Sequence, residues 1–286
     1  MSSDLQNWKY KTPPDNSRAL HIQVIADYGG GHTTDHAFSE VRNHFFRFDK
    51  KNILRDITEQ PVYAFSTLET GFWISQIGLH SEHKNLVIFS NTAPRGDIKW
   101  GGENEQNFVC GLLDNGIPIF AVNAGYNLSF VRHRLSGLWE VKVPNIGTQF
   151  RSRDYYPSVT VSILEGDTRK IGKPVDLKTI PDVPKFTVAS IDGYGNIKTT
   201  IHYSHLSEKL QKSTVVRITI NGETHFALNC LYGRHGKIGD LCLVKGSSGG
   251  KKSNYVEVIR LQARAADLFH LMGPRDDRSH IKIEKI

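Results

Sequence analysis

The sequence predicts an α/β N-terminal domain, a sheet flanked by helices, followed by an all-β, barrel-like C-terminal domain. Three observations carry this. Strand-type and helix-type apolar segments alternate through the first half; Gly172 to Pro184 holds Pro174, Pro181 and Pro184 without a period; and short β-rich runs separated by turn signals follow it. At 286 residues the chain exceeds the ~100 to 150 of a typical domain, which fits two unequal cores. The expected division is a loose N-terminal extension over 1–20, an α/β domain over 21–171, a linker over 172–184 and a β-barrel domain over 185–286.

Taken in order, Ile22 to Asp27 reads as a buried-type strand, and Ala37 to Phe48 carries apolar residues at helical spacing. Asn52 to Ile57 is a short strand. Phe65 to Leu79 is a helix with Phe65, Leu68, Phe72 and Ile77 available for one face, and Leu86 to Ser90 is again a strand. Asn107 to Leu113 and Ile117 to Val122 flank Asp114-Asn115-Gly116, a turn signal that reads as a hairpin. After the proline-rich segment come Phe186 to Ile191, Asn196 to Ile201, Val215 to Ile220, Thr224 to Leu228, Asp240 to Lys245 and Tyr255 to Leu261, with Asn221-Gly222 turning between two of them.

Composition narrows the class. Hydrophobic residues make up 38% and charged residues 23%, as in an ordinary soluble protein, and no apolar run approaches the ~18 residues of a membrane span. The first twenty residues are polar and contain Pro13 and Pro14, so they lack the apolar centre of a signal peptide. Cys110, Cys230 and Cys242 are odd in number and show no metal spacing, and a cytoplasmic location is expected. The net charge of +7 and pI of 9.2 arise from scattered basic residues rather than one stripe, which argues against nucleic acid as partner. GSSGGKKSNY, from Gly246 to Tyr255, reads as a flexible solvated loop.

Three segments carry polar chemistry. HIQVIADYGGGHTTD, from His21 to Asp35, is an apolar strand ending in an acid, then glycines, then a second acid. Glycines let a ligand approach the backbone, and Asp27 and Asp35 bring negative charge to one strand end; equally, Asp35 is placed to cap the following helix. Phe150-Arg151-Ser152-Arg153-Asp154 reads either as a salt-bridged edge strand or as a functional run. Ser190-Ile191-Asp192-Gly193-Tyr194-Gly195-Asn196 is a strand and a glycine-flanked turn, which as a simple hairpin needs no ligand. His32 and His36 flank Asp35, a set able to ligate a metal or to sit exposed on a loop. No HExxH, CxxC or Walker lysine pattern occurs, and no metal is expected.

In order and spacing, the acid and glycine loop, Asp56-Ile57-Thr58, Thr92-Ala93-Pro94, Asp114-Asn115-Gly116, FRSRD and IDGYGN resemble the S-adenosylmethionine (SAM) hydroxide adenosyltransferases and their halogenase relatives. The match runs from about His21 to Phe269. The resemblance implies trimers in which substrate lies between the N-terminal domain of one subunit and the barrel of its neighbour. It implies no cofactor beyond SAM itself as substrate or ligand, and SAM or adenosine as partner. SAM is a net cation that a basic surface repels, so local acids must hold it. By resemblance Asp27 takes the ribose hydroxyls, Asp35 the ammonium, and Asp192 and Asn196 the nucleoside edge. Phe150, with Phe65 or Tyr63, supplies an aromatic wall, and Thr92 and Pro94 mark the central-strand position. Ser253-Asn254-Tyr255 and Arg260 to Ala263 resemble the last substrate contacts.

The family reaction displaces methionine from the ribose 5′ carbon by water or halide. The hydrolytic branch activates water with an acid, an arginine and a histidine, and this chain departs there. Ala93 stands at the acid position, with Asn91 the nearby polar substitute; the arginine position falls near Lys99 and Trp100 or is served by Arg95; and the histidine of the FHGRD pattern is Arg151. Arg151 cannot act as a base near neutral pH because its pKa exceeds ~12. Ser152 matches the serine of the fluoride-using branch, while Ala93 and Gly96 do not match that branch's tyrosine and threonine. The expected activity is SAM hydrolysis to adenosine and methionine through Arg151, Ser152 and Arg95. A binding protein that has lost catalysis is the alternative, a halide-using relative a lesser one, and a basic RNA-associated module a third reading.

Overall fold

In this computed structural model, which describes residues 8–30, 33–80, 82–94, 107–144, 150–231, 236–250, 254–274 and 279–286, the chain divides into two compact units, Met1–Asp182 and Val183–Ile286. Both are built on seven-stranded sheets, and together they make a mixed α/β protein with one curled, half-barrel sheet.

In the N-terminal unit the strands are β1 (Leu20–Ala26), β2 (Leu54–Pro61), β3 (Leu86–Asn91), β4 (Phe108–Leu113), β5 (Pro118–Val122), β6 (Leu135–Val141) and β7 (Ile171–Pro174). They lie in the order β2-β1-β3-β5-β4-β6-β7. The first four of that order are parallel, and β4, β6 and β7 extend the sheet antiparallel. Helices α1 (His36–Phe48) and α4 (Tyr156–Leu164) pack on one face, with α3 (Arg151–Asp154) leading into α4. Helix α2 (Thr67–His80) packs on the other.

Local sequence explains most of these elements. In α1 the apolar residues Phe38, Val41 and Phe45 recur at helical spacing and are fully buried, and Asp35 caps the start by accepting from the Ala37 amide at 3.2 Å. β3, β4 and β5 are apolar on both faces because helices or loops cover both sides. The β4–β5 turn places Gly116 at φ 88°, a conformation that asparagine or glycine supplies most readily, and the expected hairpin forms there.

Several expectations need correction. The run Phe150 to Asp154 is not an edge strand: Arg151–Asp154 is helical, its backbone hydrogen bonds being internal, as in Asp154 N to Phe150 O at 3.1 Å. Phe65 is not on the α2 face, since it precedes the helix in a left-handed conformation (φ 65°) and the helix begins at Thr67. The second strand begins at Leu54 and continues to Pro61. Gly172–Pro174 is not connector but part of β7, paired with β6. Trp8 and Tyr10 do not trail from the domain; Trp8 meets Trp139 edge-on at 5.7 Å and lies against the core.

The C-terminal unit contains β8 (Val188–Ile191), β9 (Ile197–His202), β10 (Val215–Ile220), β11 (Glu223–Asn229), β12 (Leu241–Lys245), β13 (Tyr255–Arg260) and β14 (Ile281–Lys285). Their order is β14-β10-β11-β12-β13-β9-β8, and the sheet curls until its two edges touch at one bridge, Thr187 to His280. The unit is not all β: α5 (Glu208–Gln211) and α6 (Ala265–Leu268) place Leu210, Ala265 and Ala266 against its core. One charged group is deeply placed. Lys198 and Glu257, 8% and 6% exposed, pair at 3.3 Å, with Ser248 donating to Glu257 at 2.9 Å and Asp192 3.6 Å from the same ammonium.

Two stability predictions follow from these contacts. A Cβ at Gly71 would lie 2.2 Å from the Tyr126 carbonyl oxygen, so Gly71→Ala is expected to destabilise the N-terminal unit by about 1 to 3 kcal/mol, read as a lower urea midpoint with unchanged slope. Glu257→Ala removes the more deeply buried of two carboxylates facing the Lys198 ammonium and is expected to cost about 3 kcal/mol, the low end for breaking a buried pair, because Asp192 remains a nearby partner. A denaturation midpoint equal to wild type would refute that account of the pair.

Candidate functional site

Parallel sheets bind ligands beyond the carboxyl ends of their strands, at the point where the strand order reverses. Here β1 runs to β2 on one side and the chain then crosses to β3 on the other, so the reversal lies between the ends of β1 and β3. A cavity of about 450 Å³ occupies that place. Asp27 and Tyr28 line it from the end of β1, Ala64 and Phe65 from the loop after β2, Asn91 and Ala93 from the end of β3, and Phe150, Arg151 and Ser152 from the start of α3.

Each wall has a local cause. Val62 N donates to Ala26 O at 3.0 Å, which brings the β2–α2 loop over the end of β1. Phe65 N then donates to Asp27 Oδ2 at 2.8 Å, which fixes the carboxylate at the mouth and leaves the Phe65 ring 45% exposed. Gly29 sits where a Cβ would lie 1.9 Å from the Thr33 carbonyl oxygen, so the loop after Asp27 closes only with glycine. Tyr28 is held edge-to-face by Phe38 (5.0 Å) and Phe150 (5.6 Å), and Arg153 lies over the Phe150 ring at 5.1 Å.

The floor is a buried polar network. Asn127 Nδ2 donates to Thr92 O at 2.7 Å and Val122 O at 2.8 Å, joining the ends of β3 and β5 to the loop after β5. The hydroxyls of Thr70 and Thr92 meet at 2.9 Å, Thr67 Oγ1 accepts from Tyr126 N at 3.0 Å, and buried Glu69 accepts from Tyr63 N at 2.8 Å. These bonds anchor the start of α2 beneath the pocket.

Electrostatically the lining is sparse. Among the described residues Asp27 is its one carboxylate and Arg151 its one cation. Burial pushes the Tyr28 hydroxyl well above its ordinary value, opposed by the nearby Ser152 and Asn91 side chains, with Asp27 adding to the rise. Tyr156, stacked on Phe108 at 4.0 Å, is likewise raised by burial, and Arg151 partly opposes this. Both phenols therefore stay protonated near neutral pH.

The structure thus brings Asp27, Phe65, Phe150, Arg151 and Ser152 to one cavity. Thr92 lies beneath it, fully buried in the polar network, and Pro94 follows on the same loop without lining it. Asp35 is outside the lining: its carboxylate caps α1 and meets His36 Nδ1 at 2.6 Å, and these bonds, the Ala37 amide foremost, hold its pKa down. In the C-terminal unit, Asp192 Oδ1 accepts from the Tyr194 and Asn196 amides, both at 3.0 Å. Asn196 Nδ2 donates to Asp192 Oδ2 at 3.1 Å, so part of the polar capacity of this turn holds the turn itself. Arg260 Nε donates to Gly239 O at 3.1 Å. Arg95, Ser253 and His32 lie outside the described residues. Among the described residues no group of three or more His, Cys, Asp or Glu side chains is arranged to hold a metal ion.

Sequence reasoning missed Tyr28, Ala64 and Tyr156 as lining residues. Tyr28 had a signal, since it follows Asp27 directly; Tyr156 had none, because it reaches the site only through the helical turn after Arg151.

No protein-family model and no curated protein matches the chain. Among solved structures, an uncharacterized conserved protein from Thermotoga maritima aligns with a TM-score of 0.69 at 17% identity, over 92% of this chain and 99% of that one. A two-domain esterase active on acetylated mannans aligns with a TM-score of only 0.27 at 10% identity, over 93% of this chain and 92% of that one, and carries no argument. The Thermotoga likeness shows a shared fold alone.

Proposed function

We propose that the protein binds SAM in the Asp27 pocket and displaces methionine from the ribose 5′ carbon by water, giving adenosine and methionine. In that step the water oxygen bonds to the 5′ carbon, the carbon–sulfur bond breaks with its electron pair going to sulfur, and a proton is released. The observation that carries the reading is Asp27, the one carboxylate among the described lining residues at the strand-order reversal, beside Phe65, Phe150 and Ser152 and across a lining that also holds Arg151. A carboxylate is an acceptor-only group whose two oxygens suit paired hydroxyls such as those of a ribose. The cavity of about 450 Å³ falls in the ~300 to 1,000 Å³ range of small-molecule pockets. Asp35, Asp192, Asn196, Ser253 and Arg260 enter this proposal through the family resemblance.

A second reading, binding without turnover, is favoured by one observation. Ala93 and Arg151 line the pocket where the hydrolytic family keeps its acid and histidine, and neither side chain accepts a proton near neutral pH. The homotrimer implied by the resemblance belongs to the same proposal. So does a cytoplasmic setting, supported by three unpaired cysteines; no helix among the described residues is long and apolar enough to cross a membrane.

Calorimetry is expected to show saturable SAM or adenosine binding that Asp27→Asn weakens by about tenfold or more, the worth of one charge-assisted hydrogen bond. No heat with SAM, adenosine or methionine would remove the proposal. Chromatography after incubation with SAM separates the readings: adenosine supports hydrolysis, a halo-adenosine formed only with added chloride or fluoride supports the halide reading, and intact SAM with retained binding supports the non-catalytic one. A sizing column run alongside tests the trimer.

A further inference from the structure

At the other end of the N-terminal sheet, where β1 begins at Leu20 and β3 at Leu86, a second cavity of about 270 Å³ is lined by Lys9, Lys11 and Lys84 together with Tyr10, Asn85 and Pro118. It stands roughly 20 Å from the Asp27 pocket, the length of a seven-residue strand. Two features bear on what it binds. No carboxylate lines it among the described residues. Lys51 pairs with Asp15 at 3.5 Å and Lys173 with Glu140 at 3.2 Å, whereas Lys9, Lys11 and Lys84, like several other lysines of this unit, have no acidic partner among the described residues.

Three like charges gathered around one concavity repel each other. That cost falls when an anion enters. A monocarboxylate would leave two of the three ammonium groups uncompensated, while a phosphoryl group of charge near −2, or a pyrophosphoryl group, comes close to balance and offers several acceptor oxygens. The segment carrying Lys9 and Lys11 is held in place through Trp8, packed on Trp139 at 5.7 Å and Phe120 at 6.5 Å, so the lysines sit on an anchored strap.

We propose that this cavity is a binding site for a phosphoryl-bearing small molecule, held by Lys9, Lys11 and Lys84. It is distinct from the Asp27 pocket and does not depend on what that pocket binds.

The test is titration calorimetry with inorganic pyrophosphate at fixed ionic strength, with sodium chloride as control. Saturable binding is expected, weakened by about tenfold in Lys84→Gln and in Lys11→Gln. These lysines are exposed, and a thermal melt equal to wild type confirms that the variants fold. Excess SAM is expected to leave the pyrophosphate titration unchanged. The proposal is overturned by the absence of saturable heat up to about 10 mM pyrophosphate, by lysine variants that bind as wild type does, or by displacement of pyrophosphate by SAM.

Discussion

The Asn127 side chain is the contact on which the rest of the N-terminal unit turns. Its amide reaches two carbonyl oxygens at once, Thr92 O and Val122 O, and so ties the ends of two neighbouring parallel strands to the loop that follows the second. Strand ends are where backbone groups lose their ladder partners, and a buried carbonyl without a donor is expensive. One buried amide supplies both bonds, and Thr67, Thr70 and Glu69 extend the same network to the start of α2. With that edge fixed, the loop after β2 folds back over β1, Phe65 N meets Asp27, and the cavity has walls.

Charge placement differs between the two ends of the N-terminal sheet. The chain carries a formal charge of +7, and long-range attraction therefore favours anions. At short range the balance differs, because Asp27 and Arg151 sit among aromatic rings and neutral hydroxyls in a partly enclosed lining, where a fixed charge is less screened than on the open surface. The opposite end of the sheet has lysines and no carboxylate among the described residues. One sheet thus carries a mixed Asp27–Arg151 pocket at its carboxyl edge and a lysine-lined one at its amino edge.

Much of the fold was legible in the sequence where periodicity and turn chemistry agree. The α1 stripe, the apolar run of β3 and the Asp114-Asn115-Gly116 hairpin all declared themselves locally, as did six of the C-terminal strands. The failures have a common physical origin. FRSRD has no apolar period, so nothing local distinguishes an edge strand from the first turn of a helix; the apolar Tyr156–Leu164 segment packed on the sheet decides it. β7 is four residues containing glycine and proline, a composition that reads as connector, and only pairing with β6 makes it a strand. Phe65 sits at helical spacing from Leu68 and Phe72, yet the loop needs a left-handed residue there to aim its amide at Asp27.

The sequence by itself determined the alternation that builds the parallel sheet, the acid at the end of β1, the capping role open to Asp35 and the glycine that lets the Asp27 loop close, because each depends on residues within one or two turns of chain. Tertiary structure alone decided which of the candidate polar residues share a cavity. It joined Asp27 to Phe65, Phe150, Arg151 and Ser152 across more than a hundred residues, left Asp35 at the helix start, and gathered Lys9, Lys11 and Lys84 at the far edge. Strand order sets those neighbours, and strand order arises from packing helices on both faces of the sheet, which no local pattern encodes.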